Sequence, residues 1–437
     1  MKIVHNLVKI TCFFIVFCCN TINAQSRFIR QQQNRFYINN APCYFIGTNM
    51  WYANLLAMAD SKGGNRNRLL KELDFLKKHG VTNIRVLVGA QGENKLVNGV
   101  NPVHPALQTA TGKYNTDILD GMDFLLQQLA SRNMYGVFYF SNNWEWSGGF
   151  LQYLNWHKKI DDATLAKKFT WDEQQDLTSN FYSCNDCKND YWAFVKMILK
   201  RTNKLTGKKY INEPAIMAWE IANEPRPMRP AAIDAYKLFL QQTGLLIKST
   251  DKNHLLTLGT EGYMGTENMQ VFEQIYADKN IDYATIHIWP KNWGWYKDST
   301  FKNDFQSVIK KTSNYIKEHE AVMMKINKPL VVEEFGMPRD NFSFAVNSTV
   351  EYRDKYYESV LQSLVASKTS GSAIAGINFW TFSGFGKPAK NETPFWKEGD
   401  DLLGDPPMEE QGLNSVFSSD TSTWALINKY AGLLKNK

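Results

Sequence analysis

The sequence predicts an α/β protein with a (β/α)8 TIM barrel fold, formed by one domain from residue 25 to residue 437. Three observations support this prediction. Nearly continuous apolar runs are typical of parallel strands that are covered on both faces. Amphipathic helical patterns alternate with these runs, and such alternation favours a barrel. Finally, the runs end in polar or aromatic residues, as expected where the strands of a barrel converge on one functional face.

The predicted strands are separated by stretches long enough to hold a helix or a loop. In chain order, the runs are YFIGTNMW (44–51), TNIRVLVG (82–89), GVFYFSNNW (136–144), IMAWEIANE (216–224), LLTLGTEG (255–262), YATIHIWP (283–290), PLVVEEFG (329–336) and GINFWTFSG (376–384).

The helical patterns between the strands have apolar residues on one side. In RNRLLKELDFLKKHG (66–80), Leu69, Leu73 and Leu76 share a face and Gly80 is a helix-stop signal. The remaining patterns lie at 116–133, 231–249, 350–367 and, after the last strand, 421–435. We expect the longer insertions, 90–115, 145–188 and 385–420, to be loops above the barrel.

The first 24 residues are predicted to be a secretory signal and not part of the fold. Lys2 and Lys9 flank an apolar run, and INA before Gln25 is typical of a cleavage site. The apolar run is too short for stable membrane insertion. We therefore expect an exported protein, either periplasmic, surface-attached or extracellular.

Charge and cysteine content exclude several classes of function. A formal net charge of +7, two of it in the predicted signal, and the absence of a Lys/Arg run do not indicate nucleic-acid binding. After the signal, Cys43, Cys184 and Cys187 remain. The last two lack the further ligands of a zinc site. We expect a local disulfide between them and a free, buried thiol at Cys43.

Polar and aromatic side chains gather at the carboxyl ends of the predicted strands. A lone residue of this kind could be structural, but their recurrence along the chain indicates an active site at the barrel mouth. The candidates are Asn49, Trp51, Arg85, Asn142, Asn143, Trp144, Asn223, Glu224, Glu261, His287, Trp289, Glu334 and Trp380.

Glu224 ends the fourth strand and Glu334 the seventh, so the two carboxyls are predicted to face each other across the mouth. Two carboxyls flanking a cleft are the working groups of a glycosidase. In a retaining enzyme they lie about 5–5.5 Å apart, and one protonates the leaving group while the other attacks the anomeric carbon. We expect Arg85 to lower the pKa of the nucleophilic carboxylate.

Two further acids in these strands are expected to be structural. Adjacent strand residues point to opposite faces, so only one of Glu333 and Glu334 should look into the mouth, with the other behind the barrel wall. Glu220 is predicted to be a structural acid inside the barrel, with a supporting role as the alternative.

Other chemistries lack their sequence signals. The chain has no H-E-x-x-H, no G-x-S-x-G, and no phosphate-binding glycine motif. We therefore predict no metal and no cofactor. A catalytically inactive carbohydrate-binding barrel is an alternative, although both glutamates are present.

The motifs together resemble glycoside hydrolase family 5. The stretches that carry the resemblance are AWEIANEPR, ATIHIWP, PLVVEEFGMPRD and FWTFSG. Further stretches are similar to its endo-β-1,4-mannanases: FIGTNMWY, NNWEWSGGFLQY, RTNKLTGKKYINEPAIMAWE and LGDPPMEEQGLNSVFSSDTST. The resemblance extends from about Phe36 to the final helix. It implies retaining hydrolysis of internal bonds in mannan, glucomannan or galactomannan, with cellulase, β-mannosidase and transglycosylase activities as the alternatives.

The resemblance also implies a role for each matching residue. Glu224 matches the acid/base and Glu334 the nucleophile, while Arg85 matches the arginine that supports the nucleophile. Asn223 matches the residue that contacts the sugar 2-hydroxyl. His287 matches the active-site histidine, and Trp380 the aromatic platform at the cleavage point.

One position departs from the family pattern. Family 5 enzymes usually have a tyrosine two residues after the histidine, where this chain has Trp289. An indole N–H donates a hydrogen bond but neither accepts one nor titrates. Tyr296 could fill the role instead. Trp51, Trp144, Trp146, Trp293 and Trp295 are candidates for a row that stacks on sugar rings.

Overall fold

The computed structural model describes residues 28–388 and 395–435, so the predicted signal lies outside the described residues. Within them, eight parallel strands form one sheet, and the predicted TIM barrel is confirmed. Most strands end earlier than predicted, before the polar residues of the mouth. The strands are β1 (Phe45–Asn49), β2 (Val81–Leu87), β3 (Tyr135–Tyr139), β4 (Ile216–Glu220), β5 (Leu255–Thr257), β6 (Ala284–Ile288), β7 (Leu330–Phe335) and β8 (Ile374–Phe379).

The strands follow the order β5-β4-β3-β2-β1-β8-β7-β6 across the sheet. Neighbours pair in parallel, with Asn49 of β1 opposite Arg85 of β2. Isolated hydrogen bonds join the two outer strands: the amide of Asp282, two residues before β6, donates to the Leu256 carbonyl of β5 at 2.9 Å. The sheet is therefore nearly closed into a barrel, and the carboxyl ends of its strands share one rim.

Twelve α-helices are described, and the insertion at 145–188 contains several of them. The prediction that this insertion is a loop is therefore wrong. Its buried aromatic side chains belong to helices that pack into the core. The helices are α1 (Ala53–Ala57), α2 (Arg66–Lys78), α3 (Thr116–Ser131), α4 (Gly149–Trp156), α5 (Asp162–Ala166), α6 (Trp171–Ser179), α7 (Asn185–Leu199), α8 (Ile233–Thr250), α9 (Met269–Tyr276), α10 (Phe301–Ile326), α11 (Glu351–Ser370) and α12 (Thr421–Leu434).

A small antiparallel sheet precedes β1 and was not predicted. Its strands are Arg30–Gln32, Arg35–Ile38 and Ala41–Cys43. Phe36 of this sheet is fully buried in a cluster with residues of the barrel strands, and its ring meets that of Tyr283 edge to face at 5.2 Å. The sheet therefore packs against residues at the amino ends of the barrel strands, opposite the mouth.

The cysteine predictions are confirmed in part. Cys184 and Cys187 form a disulfide at the start of α7. Cys43 is a free thiol as predicted, but it is only partly buried and not fully buried, because it lies in the small sheet and not in the barrel. Among the described helices, none has the length and apolar character needed to cross a membrane.

A buried ion-pair cluster attaches the C-terminal helix to the barrel. The Asp420 carboxylate, next to α12, accepts two hydrogen bonds from Arg339 at 2.7 and 2.9 Å and one from Arg353 of α11 at 2.7 Å. Burial by itself would raise the pKa of Asp420, but the hydrogen bonds from Arg339 and the charges of Arg353 and Arg339 outweigh it and lower that pKa. The ionised carboxylate therefore stabilises the fold.

We expect Asp420→Ala to lower the free energy of unfolding by about 3–5 kcal/mol, because it leaves two buried guanidinium groups without their partner. The effect should be largest near neutral pH. It should shrink as pH falls towards the depressed folded pKa, where the wild-type carboxylate also loses its charge. Denaturant unfolding at several pH values measures the loss of unfolding free energy and its dependence on pH. Asp234→Ala, which removes an exposed pair with Lys237, is the control. An equal, small effect of both substitutions would contradict a stabilising role for the cluster.

Candidate active site

A cleft of about 1010 Å³ opens at the carboxyl ends of the strands. Its size is in the upper range for sites that bind small molecules. Both glutamates of the predicted pair line it, among many aromatic side chains. The lining includes Trp144, Trp146, Trp171, Asn223, Glu224, Arg226, Glu261, Trp289, Trp293, Glu334, Trp380 and Glu409.

Glu224 lies four residues beyond the end of β4, in a segment that stays hydrogen-bonded to the chain after the neighbouring strands. The amide of Glu224 donates to the Gly259 carbonyl at 2.8 Å, and that of Asn223 donates to the Ser141 carbonyl at 2.8 Å. Glu224 has a φ of +48°, which is rare for a residue with a side chain. Such backbone strain clusters at active sites. The strand thus delivers the Glu224 carboxyl into the cleft, as the sequence predicts.

The two carboxyls are close together. Oxygens of Glu224 and Glu334 and a ring nitrogen of His287 all lie within 4.8 Å of one another. The Nδ1 atom of His287 is 2.7 Å from Glu224 Oε1 and 3.4 Å from Glu334 Oε2. This separation fits the retaining geometry of about 5–5.5 Å and is well below the 6.5–9.5 Å range of an inverting pair.

Each carboxyl also accepts a hydrogen bond from an indole. Trp144 Nε1 donates to Glu224 Oε2 at 2.5 Å, and Trp289 Nε1 donates to Glu334 Oε2 at 3.1 Å. Trp289 therefore occupies the place where the family pattern has tyrosine. Tyr296 does not fill that role, because its hydroxyl is directed at the sulfur of Met337, 4.0 Å away.

Arg85 is fully buried and holds several of these groups at once. Its guanidinium donates to Glu334 Oε1 at 2.5 Å, to Asn49 Oδ1 at 3.1 Å and to Asn223 Oδ1 at 2.8 Å. Two further bonds, at 2.9 and 2.5 Å, go to the two oxygens of Glu220. Glu220 is thus a buried group inside the barrel, bonded to the same guanidinium as Glu334.

The structure places Glu333 differently from the prediction. The pairing of β6 with β7 shifts by one residue, so Ile286 lies opposite Val332 but His287 lies opposite Glu334. Because of this irregularity, Glu333 does not point behind the wall. Its Oε2 atom is 3.4 Å from Arg85 Nε and 3.5 Å from His287 Nε2. Both glutamates therefore lie on the interior side of the barrel.

The Glu333 carboxyl is also hydrogen-bonded to that of Glu220. A hydrogen bond between two carboxyl groups requires a proton on one of them. Burial, the charge of Glu220 and the charge of Glu334 raise the pKa of Glu333 well above its usual value, against the effect of Arg85. The raised pKa favours the protonated form of Glu333.

The pKa values of the catalytic pair correct one expectation. Burial raises the pKa of Glu334, although Arg85 and Trp289 act in the opposite direction, so the predicted lowering by Arg85 does not dominate. Burial also raises the pKa of Glu224, against Arg226, Trp144 and Arg85. Because the two carboxylates repel each other, their titrations are coupled, and the apparent pKa values belong to the pair. The guanidinium contact favours the charge on Glu334.

His287 is a neutral hydrogen-bonding group in this site. Burial and the charge of Arg85 lower its pKa to about 3, with Glu261 and Glu220 acting in the opposite direction. A neutral imidazole can orient the two carboxyls without adding a positive charge between them.

The other predicted aromatic residues divide into two groups. Trp144 and Trp380 line the cleft, and the Trp380 ring meets that of Trp289 edge to face at 5.6 Å. Trp51 is only 2% exposed and donates its Nε1 hydrogen to the Gly404 carbonyl at 2.7 Å. The prediction that Trp51 contacts substrate is therefore corrected, since this ring packs beneath the cleft.

Sequence reasoning assigned no role to several residues of the cleft. Arg226 forms a two-bond pair with Glu261, at 2.5 and 2.7 Å, and its guanidinium lies 5.0 Å from the Trp144 ring centre. Glu409 also lines the cleft, where burial and the charges of Asp405, Glu224 and Glu410 raise its pKa to about 8. Arg226 and Glu409 stand in stretches that support the family resemblance, which was the available signal.

The cluster of Glu224, His287 and Glu334 also has the spacing of a possible metal site. The Nδ1 atom of His287 bonds to Glu224, and each carboxyl accepts a hydrogen bond from an indole. The same close spacing of two carboxyls is that of a retaining catalytic pair.

We expect Glu333→Gln to become more stable relative to wild type as pH rises from 4 to 8. A carboxyl whose folded pKa is raised stabilises the fold at low pH, and this contribution is lost as pH rises. Glutamine keeps an N–H donor and removes the titration. Melting temperatures of the two proteins across this range measure the difference.

Glu220→Gln is the matched comparison. It removes the charge that pairs with Arg85, and we expect a loss of about 3–5 kcal/mol of stability at neutral pH. A Glu333→Gln variant that instead loses stability relative to wild type with rising pH would show that Glu333 is ionised in the fold.

Comparison with known proteins identifies a family for the chain. A family model described as GH family 5 beta-mannosidase-like matches residues 26–437. The putative mannan endo-1,4-beta-mannosidase 9 of Oryza sativa subsp. japonica is 29% identical over 372 residues, covering 82% of each chain. Mannan endo-1,4-beta-mannosidase 7 of Arabidopsis thaliana is 27% identical, covering 81% of this chain and 77% of the relative.

Solved structures show the same relationship. The family 5 mannosidase from Rhizomucor miehei has a TM-score of 0.84 and 27% identity, covering 94% of this chain and 98% of the other. The endo-1,4-beta-D-mannanase of Thermotoga petrophila shares the fold, with a TM-score of 0.66 and 21% identity over 89% of this chain and 99% of the other. The resemblance inferred from the sequence motifs is thereby confirmed. Because the family model spans nearly the whole chain, the protein belongs to the β-mannosidase-like group of glycoside hydrolase family 5 and is a glycoside hydrolase.

Proposed function

We propose that the protein is a retaining endo-β-1,4-mannanase that hydrolyses internal bonds of mannan, glucomannan or galactomannan. The observation that carries the proposal is the pair of carboxyls, Glu224 and Glu334, held within 4.8 Å in the cleft. Relatives named mannan endo-1,4-beta-mannosidases support the choice of substrate. The export pattern in residues 1–24 supports action outside the cytoplasm.

In the first step of the proposed reaction, Glu224 donates its proton to the glycosidic oxygen while Glu334 attacks the anomeric carbon. The bond to the leaving group breaks and a glycosyl-enzyme ester forms. Burial raises the pKa of Glu224 and so favours the protonated form that this step requires. Arg85 and Trp289 hold the two oxygens of Glu334 by hydrogen bonds at 2.5 and 3.1 Å, which orients the nucleophile.

In the second step, the Glu224 carboxylate accepts a proton from water. The water oxygen attacks the anomeric carbon from the same side that the leaving group left, and the bond to Glu334 breaks. Asn223 is positioned for the proposed contact with the 2-hydroxyl, since Arg85 fixes its Oδ1 and its Nδ2 atom donates to Asn142 at 3.1 Å.

A β-mannosidase that removes terminal residues is the second candidate. Two findings favour it: the family model is described as beta-mannosidase-like, and the Rhizomucor miehei mannosidase has a TM-score of 0.84. A glutamate-to-alanine mutant of that enzyme is solved in complex with mannosyl-fructose. Viscosity and reducing-sugar release from galactomannan separate the candidates, because only internal cleavage lowers viscosity early in the reaction.

We expect Glu224→Ala and Glu334→Ala each to reduce hydrolysis of galactomannan by at least about 100-fold, because each removes one of the two reacting carboxyls. With an activated aryl β-mannoside, azide should restore turnover of both variants. Glu224→Ala should give the β-mannosyl azide, since azide replaces the water of the second step. Glu334→Ala should give the α-mannosyl azide, since azide replaces the nucleophile.

The exposed Glu318→Ala is the matched control and should leave activity unchanged. Faster release of reducing sugar from carboxymethyl cellulose than from galactomannan would identify cellulose as the preferred substrate. Full activity of either site variant would contradict the assigned roles.

We expect Trp289→Phe to move the acidic limb of the kcat/KM profile to higher pH by about one unit. The substitution removes a donor that favours the ionised form of Glu334, and one pH unit is the size expected for a hydrogen bond to a charged group. Trp289→Tyr keeps a donor and should stay close to wild type. An unchanged acidic limb in Trp289→Phe would show that the indole does not act on the nucleophile.

A further inference from the structure

An exposed tryptophan stands beside the catalytic acid and has no part in the reaction described above. Trp171 is 50% exposed and lines the cleft, although most large aromatic rings in the described residues are buried. It is the first residue of α6, a helix in the insertion at 145–188. A flat ring with one free face is well suited to the apolar face of a sugar.

The helix that carries Trp171 begins at a defined point. The Thr170 hydroxyl accepts a hydrogen bond from the Glu173 amide at 3.2 Å, and the Glu173 carboxylate accepts one from the Thr170 amide at 2.7 Å. This reciprocal capping box fixes the first turn. These bonds stabilise the backbone that carries Trp171 at the edge of the cleft.

The same helix is attached to the chain that follows the catalytic acid. Arg229 forms ion pairs with Asp172 at 2.6 Å and with Asp176 at 2.7 Å. Gln175 Nε2 donates to the Met228 carbonyl at 2.9 Å. Exposed ion pairs contribute little stability, but together these contacts fix the position of α6 relative to Glu224.

The orientation of Glu224 indicates which part of a substrate Trp171 would meet. Its Oε1 atom contacts His287, while its Oε2 atom accepts the hydrogen bond from Trp144. The Trp171 ring lies next to that of Trp144, with centres 6.3 Å apart. Trp171 is thus next to the indole that bonds to the proton donor, and a proton donor of this kind meets the leaving group.

We propose that Trp171 is the stacking platform for a hexosyl unit of the leaving group, beyond the bond that is cleaved. The inference rests on the proposed function and adds the part of the cleft that binds the released end of the chain. A sugar acceptor occupies the same place when it replaces water in the second step. Trp171 therefore favours transfer to sugar over hydrolysis.

The test uses two substrates for the full-length protein, mannotetraose and β-mannobiosyl fluoride. The leaving group of the second is fluoride ion, which cannot stack on a ring. We expect Trp171→Ala to lower kcat/KM for mannotetraose about 3- to 10-fold, the size of a lost aromatic contact. Its kcat/KM for the fluoride should stay within about twofold of wild type. The ratio of transfer to hydrolysis with added mannobiose should fall in parallel.

Two control variants accompany the test. Trp171→Phe keeps a ring and should recover most of the wild-type ratio. Phe385→Ala removes another exposed aromatic ring, which is 44% exposed and outside the cleft lining. It should change kcat/KM for neither substrate. Equal losses on both substrates, or no loss on mannotetraose, would overturn the inference while leaving the proposed function in place. A wild-type protein that cleaves neither substrate would instead reject the proposed function and the inference with it.

Discussion

The active site depends on one buried positive charge, the guanidinium of Arg85. A buried charge that is removed from water must be compensated by neighbouring polar or charged groups. Here the ends of the strands supply those groups. Asn49 and Glu220 come from two other strands, and Glu334 from a third, each within hydrogen-bond distance of the guanidinium. Closure of the barrel is what brings these residues together. The fold and the catalytic geometry therefore share one electrostatic constraint.

The same constraint separates the roles of two chemically identical side chains. Glu334 contacts the guanidinium directly, whereas the direct partners of Glu224 are the Trp144 indole and the neutral ring of His287. One carboxyl is thus favoured as the charged nucleophile and the other as the proton donor, a division that environment alone can impose. Glu333 adds a further carboxyl beside the guanidinium, and burial and the neighbouring Glu220 raise its pKa and so favour its uncharged form.

Much of this arrangement could be predicted from the sequence. Apolar runs that end in polar residues located the eight strands, and the spacing of Glu224 and Glu334 along them indicated the carboxyl pair. The position of Glu333 could not be predicted, because strict alternation assumes an unbroken register and β6 and β7 shift by one residue beside His287. The burial of Trp51 and the helices of the 145–188 insertion depend on contacts between distant segments, as does the net direction of the Glu334 pKa. No local pattern contains that information.

The most direct test of the account is to identify the residue that forms the covalent intermediate. Treatment with 2-deoxy-2-fluoro-β-mannosyl fluoride slows both steps and allows the glycosyl-enzyme to accumulate for peptide mass spectrometry. The account predicts a single adduct on Glu334 in the wild-type protein. An adduct on the adjacent Glu333, which the register shift also turns inward, would contradict the assignment of the nucleophile. Release of product with inverted configuration and no adduct would contradict the double displacement itself.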